Sequence, residues 1–142
     1  MSVILTQTDT TVGFLSQDAL LLARLKKRDE GKPFLKVFAS LSRLQSSLRV
    51  PLKYRTTLRH ARRTTFVIKN QAVRYINDDV HSQLIQKYGW LYSTSANESG
   101  KEFDSVFCLQ YSDTVIEDAR GFTPSEPSHI YRLTSMQLKK LR

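Results

Sequence analysis

A chain of 142 residues, 40% hydrophobic and 10% aromatic, can bury a core of its own, which excludes a disordered polymer. No apolar run reaches the ~18 residues of a membrane helix and no apolar leader opens the chain, so a soluble cytoplasmic protein without membrane contact is expected. Cys108 stands alone, which excludes an internal disulfide and a cysteine-rich zinc site, while a net charge of +9 points to phosphate-bearing partners.

In chain order, Val3-Ile4-Leu5-Thr6 reads as a strand, followed by a Thr-rich turn, Gln7-Thr8-Asp9-Thr10-Thr11. Ser16 is expected to cap a helix carrying Leu20, Leu21, Leu22, Ala23 and Leu25 that ends near Gly31-Lys32-Pro33. Phe34 to Phe38 forms a second strand, and Leu41, Leu44 and Leu48 mark a helix by their spacing. Pro51 suits the first turn of a helix reaching about Ala61. Thr64 to Lys69 is β-branched, and Asn70-Gln71 looks like a hairpin turn into Ala72-Val73-Arg74-Tyr75-Ile76. Asn77 caps a helix that Gly89 stops, and Trp90-Leu91-Tyr92 is the next strand. Asp104 caps a helix through Tyr111, Thr114–Ile116 and His129–Leu133 are late strands, and Ser135 opens a basic C-terminal helix. This alternation predicts a single α/β domain over residues 1–142 with a mixed sheet.

The densest polar motif follows Tyr92: Ser93-Thr94-Ser95-Ala96-Asn97-Glu98-Ser99-Gly100 reads as a loop leaving the end of a strand. Open α/β sheets place ligands there, and hydroxyls with an amide suit a phosphate or an amino-acid carboxylate. Lys26-x-Arg28 with Lys32 offers a mobile point charge and a planar fork for phosphate oxygens; alone, it better suits the negative end of a helix dipole. Thr8-Asp9-Thr10-Thr11-x-Gly13 offers hydroxyls and N–H groups, or an ordinary Asx turn, and lacks P-loop spacing. His60, His81 and His129 show neither triad context nor metal-ligand spacing, and His81 falls on a polar helix face. Arg55, Arg59, Arg62 and Arg63 form an acid-free cluster that suits an RNA backbone.

Taken in order, Thr8-Asp9-Thr10 with Gly13, Lys26-x-Arg28 with Lys32-Pro33, Ala72-Val73-Arg74, Ser93-Thr94-Ser95-Ala96-Asn97 with Ser99-Gly100, and Pro127-Ser128-His129-Ile130 resemble the YrdC-like family of threonylcarbamoyl-adenylate synthases. The resemblance implies an open, twisted mixed sheet flanked by helices, with a basic concave face. It also implies a reaction in which L-threonine, bicarbonate and ATP, with Mg²⁺ carried on ATP, become threonylcarbamoyl-AMP for modifying tRNA. By motif, Lys26 and Arg28 take the catalytic positions, and Thr8, Lys32, Ser93, Ser95, Asn97 and Ser128 the substrate and ATP positions. Partners would include tRNA or tRNA-modification proteins. Three departures stand out: Ala61-Arg62-Arg63 replaces a Pro-Gly-Pro turn, and Gln7 and Asp29 each stand where the family has Pro. The alternatives are a non-catalytic double-stranded RNA or tRNA-binding module using Arg55, Arg59, Arg62 and Arg63, and a carbamoyl-adenylate domain of the hydrogenase-maturation kind.

Overall fold

The structure, a computed structural model, describes residues 3–29, 31, 33–77, 79–97, 101–117, 122 and 126–142, with residue 79 by its backbone only. The chain begins with a hairpin of β1 (Ile4–Gln7) and β2 (Val12–Ser16). No strand was expected at Val12–Ser16, and Ser16 was expected to be a helix cap. Both expectations are corrected. Every residue of β2 is buried and the strand is paired on both edges, so ladder hydrogen bonds outweigh the weak local preference of its Gly13. The cap is Asp18, whose carboxylate accepts from Leu21 N at 3.1 Å, and Ser16 Oγ in turn accepts from Asp18 N at 3.0 Å. The helix α1 (Ala19–Lys26) stops well before Gly31, because Lys27 turns left-handed at φ 52 and its N–H closes on Arg24 O.

After β3 (Leu35–Phe38) and α2 (Leu41–Ser47), the stretch behind Pro51 is a 3₁₀ turn, Leu52–Tyr54, leading into α3 (Arg55–His60). The hairpin of β4 (Thr64–Ile68) and β5 (Gln71–Tyr75) turns at Lys69-Asn70, one residue earlier than expected. Both turn residues have positive φ, 50 and 65, the geometry that matches strand twist in a two-residue turn. Helix α4 (Asp79–Tyr88) follows; the position before it, where a cap would sit, is outside the described residues. His81 on α4 is 2% exposed, which corrects its assignment to a polar face.

Strand β6 (Trp90–Ser95) runs further than expected, so Ser93, Thr94 and Ser95 are strand residues rather than loop. Thr94 pairs with Phe14 and Ser93 with both Leu15 and Leu35, and these ladders hold the hydroxyl-rich segment straight. Asp104 caps α5 (Ser105–Tyr111) as expected, accepting from Val106 N at 3.0 Å. Strands β7 (Thr114–Ile116) and β8 (His129–Leu133) also stand where expected. The C-terminal helix is corrected to a strand, β9 (Leu138–Lys140), in a hairpin with β8. Thr134 Oγ1 accepts from Met136 N at 3.3 Å and Gln137 N at 3.1 Å, which forms a turn where Ser135 was read as a helix start.

Among the described residues nine strands form one open sheet in the order β7-β1-β2-β6-β3-β5-β4-β8-β9. The mixture is parallel at β7/β1, β3/β5 and β4/β8 and antiparallel elsewhere. Side chains alternate across it. One cluster packs Val3, Leu5 and Phe14 with Leu22 and Ala23 of α1 and Cys108 of α5; a second packs Phe38, Phe66 and Leu133 with Leu44 of α2 and Leu58 of α3. A third joins Ile4, Leu15, Val37 and Leu91 to Ile85 of α4. Leu35 and Ser93 continue the Val37 and Leu91 rows on that same face but lie outside this cluster's buried set, and a cavity opens beside them. Among the described residues no helix is long and apolar enough to cross a membrane.

Gly89 ends α4 at φ 85, donating its N–H to Ile85 O at 2.8 Å, and a Cβ there would stand 2.7 Å from Arg43 Nη1. Gly89→Ala should lower the unfolding free energy by about 1–2 kcal/mol in urea melts, the cost of a left-handed non-glycine residue. An unchanged midpoint would show that the turn relaxes.

Candidate functional site

The cavity beside Leu35 and Ser93 has a volume of about 380 Å³, within the range of small-ligand sites. Among the described residues three arginines, Arg28, Arg74 and Arg142, line it, and no Asp or Glu does. Hydroxyls supply most of the remaining polarity, including those of Thr8, Ser93, Ser95 and Ser128.

Arg74 sets one wall. Its Nη1 donates to Asp9 Oδ1 at 2.7 Å and to Thr10 Oγ1 at 3.2 Å, and its Nε and Nη2 reach Thr65 Oγ1 at 3.2 and 3.1 Å. The ion pair is nearly dry, with side chains 8% and 10% exposed. Thr65 Oγ1 then shares a 2.9 Å hydrogen bond with Ser128 Oγ. Arg142 Nε donates to Ser128 O at 3.0 Å, and its two terminal nitrogens have no hydrogen-bond partner among the described residues.

The rest of the lining includes the β1–β2 turn, to which Arg74 is bonded, and β6. A Cβ on Gly13 would lie 2.8 Å from Thr8 Cγ2 and 3.3 Å from Thr94 O, so glycine is what lets turn and strand close up. Thr8 Oγ1 donates to Thr11 O, whereas Ser93 Oγ makes no hydrogen bond within the described residues. Arg28 leaves the end of α1, stacks its guanidinium 4.5 Å from the centre of the Phe34 ring and donates from Nη2 to Pro33 O at 2.9 Å. Its Nε is buried without a partner among the described residues.

Lys26 behaves differently from Arg28. It is 6% exposed, does not line the cavity, and donates its ammonium to Ser95 O at 2.9 Å, Asn97 O at 2.7 Å and Asn97 Oδ1 at 2.9 Å. Three N–H groups thus meet three oxygens, which is all an ammonium can donate. Ser95 Oγ donates to Asn97 Oδ1 at 2.6 Å, and Asn97 Nδ2 donates to Lys101 O. Burial, helped by the charge of Arg28 and opposed by Cys108, lowers the Lys26 pKa to about 8. Cys108 donates to Ala96 O at 3.1 Å from beneath, and burial pushes its thiol up.

The structure therefore gathers Thr8, Arg28, Ser93, Ser95 and Ser128 around one cavity, with Lys26 and Asn97 clamping the end of β6. Lys32, Glu98, Ser99 and Gly100 lie outside the described residues. Arg55, Arg59, Arg62 and Arg63 do not line the cavity: Arg55 donates to Val50 O at 3.2 Å and Arg63 to Glu126 O at 3.2 Å, while Arg59 and Arg62 are exposed. Arg74 and Arg142 were not among the expected site residues. An arginine between Val73 and Tyr75 inside a strand was a usable signal, since a charge at a core position needs a partner. Arg142 carried none. Among the described residues no cluster of three or more His, Cys, Asp or Glu could hold a metal.

No protein-family model matches the sequence, and neither does any curated protein sequence. Solved structures do match over 99% of the chain. The solution structure of the MTH1692 protein from Methanobacterium thermoautotrophicum is 22% identical with a TM-score of 0.74, and the chain covers 79% of it. P. abyssi Sua5 complexed with L-threonine is 17% identical with a TM-score of 0.81, and the chain spans only half of it. Full-length HypF in its phosphate- and nucleotide-bound form is 15% identical with a TM-score of 0.77, and 26% of it is covered. The chain has the fold shared by these proteins, the α/β sheet expected from the resemblance.

The lowered Lys26 pKa has a stability consequence. Between about pH 8 and the ordinary lysine value of 10.5, the unfolded chain holds a proton that the folded chain has released. The contribution of Lys26 to stability therefore rises with pH through that window. Urea melts of wild type and Lys26→Met at pH 7 and pH 10 should show the difference between them shift in favour of wild type at the higher pH. A pH-independent difference would mean that the three oxygens hold the ammonium at its usual pKa.

Proposed function

We propose that this chain is a threonylcarbamoyl-AMP synthase, condensing L-threonine, bicarbonate and ATP with release of pyrophosphate. The observation that carries the reading is the cavity lined, among the described residues, by three arginines and several hydroxyls and by no Asp or Glu, in a fold shared with a protein whose structure holds L-threonine. A threonine carboxylate, a carbamate and a triphosphate are all anions, and this lining suits them.

In the proposed chemistry the neutral threonine amine and bicarbonate combine with loss of water to give a carbamate. A carbamate oxygen then attacks the α-phosphorus of ATP, the bond to the bridging oxygen breaks, and pyrophosphate leaves. Little covalent work falls to the protein, so placement and charge neutralisation dominate. Arg28 and the terminal nitrogens of Arg142 hold the anionic groups, and Ser93 Oγ supplies an uncommitted hydroxyl. Arg74, committed to Asp9, Thr10 and Thr65, holds the wall. Lys26 acts as a positioning residue: with its three donors on Ser95 and Asn97, it sets where the β6 end meets the adenylate. Thr8 and Ser128 complete the lining, and Mg²⁺ arrives on the phosphates of ATP. The product is an activated donor for tRNA modification.

Incubation with labelled bicarbonate, threonine, ATP and Mg²⁺ should yield a threonine-dependent adenylate and pyrophosphate. Arg28→Ala should reduce that rate by about 10²-fold with little change in melting temperature. A folded sample that makes no product and binds neither ATP nor threonine would overturn the proposal. Salt-sensitive tRNA binding by that inactive sample, lost on changing Arg59 and Arg62 to Ala, would favour the non-catalytic RNA-binding alternative.

A further inference from the structure

A second cavity, of about 820 Å³, lies at the other end of β4 and β8. The first cavity meets these parallel strands near Thr65 and Ser128, and the second meets them near Ile68 and Leu133. The two are thus separated along the strands by roughly 10 Å, at about 3.3 Å per residue.

Four cations from three parts of the chain are among the residues that line this second cavity. Arg49 and Lys53 come from the segment linking α2 to α3, Lys69 from the tip of the β4–β5 hairpin, and Arg132 from β8. Among the described residues no Asp or Glu lines the cavity, and none of the four cations is paired with one. The nearest thing to a partner is the Tyr54 ring, 5.4 Å from the Lys53 ammonium. Arg132 also stands opposite Lys139 in the β8–β9 ladder, a like-charge pairing that costs stability. Such a concentration of one sign leaves a field that an anion relieves.

The cavity is also partly apolar. Leu52, 78% exposed, and the buried Leu133 are among its lining residues, which suits a ligand with an uncharged body and an anionic end. No aromatic side chain lines it, so it lacks the stacking platform of a single-strand nucleic-acid groove. Two arginine forks and two lysine point charges match phosphate oxygens. We propose that this cavity binds a phosphorylated small molecule of nucleotide size, at a site separate from the candidate active site and independent of the reaction assigned there.

The test is a titration of the ¹⁵N-labelled full chain with ADP and, separately, with inorganic pyrophosphate. Saturable amide shifts are expected at Lys69, Asn70 and Thr134, apart from any at Ser93 and Ser95. Lys69→Gln combined with Arg132→Gln should weaken the first set at least tenfold, the scale of one lost charge-assisted contact. The Ser93 and Ser95 response should not move, and an otherwise unchanged spectrum verifies folding. Three outcomes overturn the proposal: no saturable shift at Lys69–Thr134 with either probe, an identical response in the double variant, or a response there only to an RNA duplex. Because the readout is site-resolved, an inactive synthase leaves the proposal standing, and a failed titration leaves the synthase reading untouched.

Discussion

The guanidinium of Arg74 joins parts of the sheet that strand order keeps apart. It sits on β5, yet its acid partner, Asp9, belongs to the turn between β1 and β2. Strands β3 and β6 lie between β5 and β2, so a flat sheet would hold the two edges roughly 14 Å apart at about 4.8 Å per strand step. An arginine cannot span that gap along a plane, so the sheet and turn must curve toward each other on this face. The cavity is the inside of that curve. The bond is also costly to break: an arginine 7% exposed would be left with its charge buried, a loss of about 3–5 kcal/mol for a fully buried pair.

A second division follows from which polar groups are already committed. Arg74 and Thr8 are tied to other protein groups and give the cavity fixed walls, while Lys26 and Asn97, bonded to each other, clamp the end of β6 beside it. Arg28 Nε, the terminal nitrogens of Arg142 and Ser93 Oγ have no such ties among the described residues. Rigid walls with a few open donors reduce the reorganisation needed when an anion enters. Among the described residues neither cavity has a lining Asp or Glu, so several of the basic side chains behind the net charge of +9 are held on concave surfaces, where neighbouring cations repel. That arrangement lowers the stability of the unliganded chain and favours anionic ligands.

Much of the secondary structure was legible because local signals were strong. The Asp104 cap, the Gly89 stop and the β-branched Thr64–Ile68 each act within one turn or one strand. The two larger errors fall where long-range pairing outweighs local preference. Val12–Ser16 holds a glycine and follows threonines, yet it is clamped between β1 and β6. Leu138–Lys140 follows a plausible helix start, yet pairing with β8 makes it a strand.

The sequence by itself determined the alternation of helices and strands, the basic character, and the polar string from Ser93 to Asn97 beside the cavity, because composition, caps and short motifs are local properties. The strand character of Ser93–Ser95, the separation of Lys26 from the cavity, and the recruitment of Arg74 and Arg142 were decided only by the tertiary structure. Those outcomes depend on contacts such as Asp9 with Arg74, 65 residues apart, and on which face of a curved sheet each side chain meets. The two cations of Lys26-x-Arg28, two positions apart, look equivalent in sequence. One lies at the buried end of α1 and faces three carbonyl-type oxygens, the other beyond the left-handed Lys27 and against the Phe34 ring, so burial and backbone direction give them different tasks.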